Sequence, residues 1–116
     1  MERQRVLVVE DDKDMRRFYQ DFFKTRHSED FAVTIVPDGE RALGVLGHEP
    51  IDIVILDCGL PGISGEHLAK ALRAQAKTRA VGILMVTGQS SPQEIIRALE
   101  SGADDHLAKP FDEKML

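Results

Sequence analysis

Several things are scarce in this chain, and each scarcity excludes something. One cysteine in 116 residues can form neither an internal disulfide nor a thiolate metal cluster, which places the domain most simply in the reducing cytosol. The N-terminal Met-Glu-Arg-Gln-Arg leads into a short apolar run, Val6-Leu7-Val8-Val9. That is too little for a signal-peptide core or a membrane span. Basic charge is in the minority: 15 Lys and Arg against 20 Asp and Glu leave a net charge of -5. Direct nucleic-acid binding needs a basic face, and this domain lacks the charge for one. Glycine is missing where a phosphate-binding loop would need it, since the first apolar run is followed by Glu10-Asp11-Asp12. Three acids there would repel a pyrophosphate, which argues against a flavin or dinucleotide protein. His27, His48 and His67 read as surface residues, and no histidine pair has ligand spacing. No internal repeat or low-complexity tract is visible.

What is present is ordinary for one globular domain spanning residues 1–116, with 42% apolar and 30% charged content. Five apolar runs alternate with amphipathic segments, the pattern of βαβ units and a parallel sheet. The run organising the rest is Ile51-Asp52-Ile53-Val54-Ile55-Leu56-Asp57. Near-continuous apolar character describes a strand buried on both faces. Asp57 stands where that strand leaves the core, before Cys58-Gly59-Leu60-Pro61-Gly62 turns the chain. After the first strand, Met15, Phe18, Tyr19, Phe22 and Phe23 predict a helix with one aromatic core-facing stripe. The second strand is predicted over 31–36, with Asp38 capping a helix that Gly44 and Gly47 weaken by about 1 kcal/mol each. Ser64 is expected to cap a third helix burying Leu68, Ala69, Ala71 and Leu72 and fraying by Lys77 to Arg79. The fourth strand, 82–86, ends at Thr87-Gly88. Ser91-Pro92-Gln93-Glu94 is a capping box opening a helix that Gly102 stops. A short fifth strand, Asp105 to Ala108, leads into Lys109-Pro110-Phe111. The last helix is only begun at Leu116, which predicts either a longer parent protein with its final helix cut short or a disordered end.

With all strands parallel, the strand ends bring Glu10, Asp11, Asp57, Thr87 and Lys109 to one rim, where an open parallel sheet binds ligands. Two carboxylates about 4 Å apart repel by roughly 4 kcal/mol at an effective dielectric near 20. Three of them need a counter-charge, and one lysine leaves about two negative charges over, which a magnesium ion balances. Hard oxygen ligands suit Mg²⁺ better than zinc. A carboxylate beside such a cation, with an ammonium and a hydroxyl, is equipped to accept a phosphoryl group without a general base.

Four segments in order, Val-Val-Glu-Asp-Asp, Leu-Asp-Cys-Gly-Leu-Pro-Gly-Ile-Ser-Gly, Val-Thr-Gly and Gly-Ala-Asp-Asp-His-Leu-Ala-Lys-Pro-Phe, carry a family resemblance across essentially the whole chain. It resembles the receiver domain of bacterial two-component response regulators. The resemblance implies a flavodoxin-like (βα)5 doubly wound α/β fold, five parallel strands in the order 2-1-3-4-5, with helices on both faces. It implies Asp57 as phosphoacceptor from a histidine kinase or phosphotransfer protein, with Mg²⁺ (or Mn²⁺) held by Asp57, Asp11, the Gly59 carbonyl and, through water, Glu10. Thr87 and Lys109 would bind the phosphoryl oxygens, with a cis peptide between Lys109 and Pro110. Phosphorylation would draw Thr87 inward and reposition the side chain at 106, switching the face of the fourth helix, fifth strand and fifth helix, through which such receivers also form homodimers. His106 departs from the family's usual tyrosine or phenylalanine at the switch. Gly59 and Gln89 would flank the acyl phosphate.

The plainer readings are a solvated turn for Asp57, helix-dipole complementation for the three acids, which suits Asp12, a surface charge for Lys109 and an inert thiol for Cys58. None explains why the residues coincide at strand ends. An aspartyl-nucleophile phosphatase usually carries a second Asp two residues after the nucleophile, and Gly59 stands there. A degenerate receiver serving only as a docking surface would not keep the acids, threonine and lysine together. The expectation is a cytoplasmic signalling domain, chemically active only on itself.

Overall fold

The computed structural model describes residues 3–26, 29–57, 60, 62–87, 96 and 99–108. Its elements in chain order are β1 (Gln4–Val9), α1 (Lys13–Arg26), β2 (Phe31–Val36), α2 (Gly39–His48), β3 (Ile53–Asp57), α3 (Gly65–Ala74), β4 (Gly82–Thr87) and β5 (Asp105–Ala108). All strand pairs are parallel, and the order is β2-β1-β3-β4-β5. From β1 the chain steps to β2 on one side; it then crosses back over β1 to β3 and continues outward. Parallel crossovers are right-handed, so reversing direction moves the covering helices to the other face. The reversal lies between β1 and β3, where a doubly wound sheet opens its crevice.

The strands sort their side chains by parity. Leu7, Val9, Val54, Leu56, Ile83 and Met85 face a cluster closed by Ala42 and Leu46 of α2 and Leu68, Ala69 and Leu72 of α3. Val6, Val8, Ile55 and Val86 face the opposite cluster, closed by Tyr19, Phe22 and Phe23 of α1. Alternate residues of a strand point to opposite faces, so a central strand buried on both sides must be apolar throughout. The aromatic stripe is where the 3.6-residue period places it, with Phe22 and Phe23 edge to face at 5.1 Å and Phe23 and Phe31 at 5.6 Å.

The caps follow local chemistry. Asp38 accepts the Arg41 amide at 2.8 Å, and Ser64 accepts the His67 amide at 3.2 Å while its hydroxyl meets His67 Nδ1 at 2.9 Å. Asp12 accepts the Asp14 amide at 3.1 Å on its side chain and the Arg16 amide at 3.0 Å on its carbonyl, so it caps the start of α1. Gly44 and Gly47 do not break α2, which runs through both to His48. Beyond α3 the chain is not a frayed helix. Thr78 is buried and donates to the Leu72 carbonyl at 2.6 Å, so residues 76–80 form a closed turn. Arg73 completes it, donating to the carbonyls of Arg79 at 2.8 Å and Gly102 at 2.9 Å and pairing with Asp104 at 2.9 Å. Asp104 also accepts the Ile83 amide at 2.8 Å. This wiring joins α3, β4 and the approach to β5 at the amino-terminal edge of the sheet. Gly102, at φ +119°, carries the left-handed turn, and a Cβ there would lie 2.7 Å from Arg73 Cγ.

Among the described residues, no helix is long and apolar enough to cross a membrane. The expected helix start at 91–94 and the last helix lie outside the described residues.

Candidate functional site

At the carboxyl edge of the sheet, register brings the strand ends level. Val9 pairs with Leu56, Asp57 with Val86, and Thr87 with Ala108. The Glu10 amide donates to the Val36 carbonyl at 3.0 Å, carrying the β1–β2 ladder one residue past β1. Glu10 therefore keeps the parity of Val6 and Val8, and Asp57 that of Ile53 and Ile55. Both carboxylates fall on the α1 face of the reversal point, and both are buried, Glu10 at 1% and Asp57 at 7% exposure. Asp11, one residue on, is exposed.

Oxygens of Glu10, Asp11 and Asp57 all lie within 4.8 Å of one another. Three carboxylates at that spacing, two of them out of water, are held against mutual repulsion and desolvation. The donor set is wholly hard oxygen, with no imidazole or thiolate, and fits a hard divalent cation that keeps some of its water. These three predicted residues are thus brought together. Thr87 closes β4 and His106 lies in β5 opposite Met85; their side chains, together with Gly59, Gln89 and Lys109, lie outside what is described.

Two residues beside the acids carried no signal in the motif reading. Arg16, early in α1, donates from Nη1 to the carbonyls of Glu10 at 3.1 Å and Asp11 at 2.7 Å. Tyr19, expected only as core, is 1% exposed. Burial pushes its phenol far above the ordinary value near 10, and the charges of Glu10 and Asp57 push the same way. The hydroxyl of the aromatic stripe therefore sits within the field of the acid pair.

That coupling has a measurable sign. A phenol whose value is raised on folding contributes stability that is intact below about pH 10, its unfolded value, and is lost as pH climbs toward the folded one. Between about pH 9 and 11, wild type is expected to lose about 1 kcal/mol more than Tyr19→Phe in urea unfolding. Equal losses would show that the phenol is not held neutral.

The fold and the acid rim define a receiver. The family model for the response regulator receiver domain matches residues 6–116, and the chain belongs to that family of phosphoacceptor domains of two-component signalling. The DNA-binding response regulator MtrA of Mycolicibacterium paratuberculosis is 36% identical over 114 residues, covering 98% of this chain and 48% of that protein. Among solved structures, chemotaxis protein CheY4 of Vibrio cholerae superposes with a TM-score of 0.88 at 27% identity, over 97% of this chain and 92% of that one. The receiver domain of sensor histidine kinase PA1611 from Pseudomonas aeruginosa PAO1, with a magnesium ion coordinated in its active site cleft, gives 0.85 at 29% identity over 98% and 91%. Receiver domains bind Mg²⁺ at such an acidic pocket, and the cluster of Glu10, Asp11 and Asp57 is consistent with it. The chain spans half or less of the length of curated relatives such as MtrA and the activator PfeR.

Proposed function

We propose that residues 1–116 form one receiver domain in which Asp57 accepts a phosphoryl group from a histidine kinase or phosphotransfer protein. The observation that carries this reading is the convergence of Glu10, Asp11 and Asp57 within 4.8 Å at the point where the winding of the sheet reverses. Mg²⁺ would be held by Asp11 and Asp57, with the Gly59 carbonyl as a third contact and Glu10 through water; Mn²⁺ would substitute. When bound, the cation neutralises charge on the phosphoryl oxygens and on the acids themselves. The Asp57 carboxylate supplies the nucleophilic oxygen, forming the O–P bond as the donor's bond to phosphorus breaks. Thr87, the last residue of β4, and Lys109, next in sequence after Ala108, would take the remaining phosphoryl oxygens. The consequence would be a changed surface of the fourth helix, β5 and fifth helix, with Thr87 and His106 as the switch pair.

The domain turns over no external substrate in this reading; it works on its own Asp57. It would act in the cytoplasm, without contacting nucleic acid or membrane itself, and control an output carried by a longer chain or a partner, with self-association through the switched face. Incubation with acetyl phosphate and Mg²⁺ is expected to add one phosphoryl mass, lost on Asp57→Ala and in chelator. Labelling that survives either would sink the assignment. Hydrolysis of a phosphomonoester above an Asp57→Ala control would favour the phosphatase reading instead.

A further inference from the structure

Arg16 meets the acid rim through main-chain oxygens. Arg16 Nη1 binds the main-chain carbonyls of two consecutive residues, Glu10 at 3.1 Å and Asp11 at 2.7 Å. Its own amide donates to the Asp12 carbonyl at 3.0 Å, and Glu10 Oε2 accepts the Asp12 amide at 3.1 Å. Backbone and side chain of a single residue closing the first turn of α1 thus hold residues 10 to 12, the segment from which two of the three clustered acids project.

We propose that Arg16 is a positioning residue for the cation site, fixing the direction of the Glu10 and Asp11 carboxylates by holding the peptide units that carry them; this rests on the receiver reading above. Carboxylates at this spacing repel one another, and that repulsion acts on the segment carrying two of them. The charge-assisted bonds from Arg16 resist that movement: Nη1 directs both of its N–H groups in the guanidinium plane at the two carbonyls, whereas an ammonium on a flexible stem is a point charge with no fixed donor plane. A general effect of charge has the opposite sign. Arg16 is positive, so as a mere neighbour it repels a cation, and its removal would tighten binding. The geometry requires that its loss loosen binding.

Two variants separate these effects. Arg16→Lys keeps the charge and loses the planar guanidinium; Arg16→Met loses both and keeps the aliphatic stem. Arg16 is only half-buried, and thermal melts by circular dichroism are expected to show both variants folded. Mg²⁺ and Mn²⁺ affinities by calorimetry are expected to fall roughly tenfold in Arg16→Lys, the scale on which outer groups that orient ligands act. Hydrogen exchange at the Asp12 amide is expected to quicken in the same variant without metal. The Mg²⁺ concentration giving half-maximal acetyl phosphate labelling is expected to rise by the same roughly tenfold factor in Arg16→Lys. Arg16→Lys binding Mg²⁺ as tightly as wild type, or Arg16→Met binding it more tightly, would overturn the proposal. A wild-type chain that neither binds Mg²⁺ nor labels would instead overturn the receiver reading, whatever the variants do.

Discussion

Asp57→Asn is expected to be more stable than wild type in chelator and to lose that advantage in Mg²⁺. Two charges no more than 4.8 Å apart repel by roughly 3 kcal/mol or more at an effective dielectric of 20. Asp57 faces two such neighbours, one of them exposed and screened by solvent. Replacing the buried carboxylate with a neutral amide of nearly the same shape should therefore stabilise the cation-free domain by about 1 to 3 kcal/mol. Wild type recovers when a ligand binds only its folded form: at a hundredfold excess over Kd the gain is about 2.7 kcal/mol. The asparagine variant, short of one anionic ligand, gains less. Urea unfolding in chelator and in excess Mg²⁺ gives four free energies, and the gap between the two proteins should shrink or reverse on adding metal. A variant no more stable than wild type in chelator would mean that the acids are not under repulsive load.

Leu56→Ala is the largest stability loss expected from a single truncation beside the site. Leu56 is fully buried in the central strand, between Val9 of β1 and Met85 of β4, facing the α2 and α3 cluster. A leucine this enclosed leaves a cavity that a sheet pinned on both sides cannot collapse, and the cost falls in the range of about 2 to 5 kcal/mol. For a small domain this is a large part of a total of about 5 to 15 kcal/mol. Asp57 projects to the other face, so the fraction that stays folded should still label with acetyl phosphate and Mg²⁺. Leu43→Ala is the control: at 39% exposure it should cost under about 1 kcal/mol. Comparable losses at the two positions in denaturant titrations would mean that Leu56 is not held in a rigid core.

Much of this was legible before any coordinates. The extent of β2 and β5, the caps at Asp38 and Ser64 and the stripe on α1 each follow from residues within a few positions of one another. Thr78 and Arg73 were not legible in that way. A threonine after a helix and an arginine near its end look like a fraying, solvated segment. What closes the turn is their contact with carbonyls and an aspartate brought by β4 and the approach to β5. Arg16 was missed for a related reason: nothing in the pattern of acids shows that residues 10 to 12 present their carbonyls to α1. Tyr19 was read correctly as core, but its place in the field of Glu10 and Asp57 depends on which face those acids take.

The sequence by itself determined the alternation of strands and helices, the places where helices start, and the acidic character of two strand ends, because periodicity, capping and turn chemistry act over short separations. Only the tertiary structure decided that Glu10, Asp11 and Asp57 share one rim. That required β1 and β3 to lie side by side with β2 outside them, and parity to place both buried carboxylates on the α1 face. Sheet order and register arise from packing two apolar clusters against opposite faces at once, a condition on the whole chain that no single stretch carries.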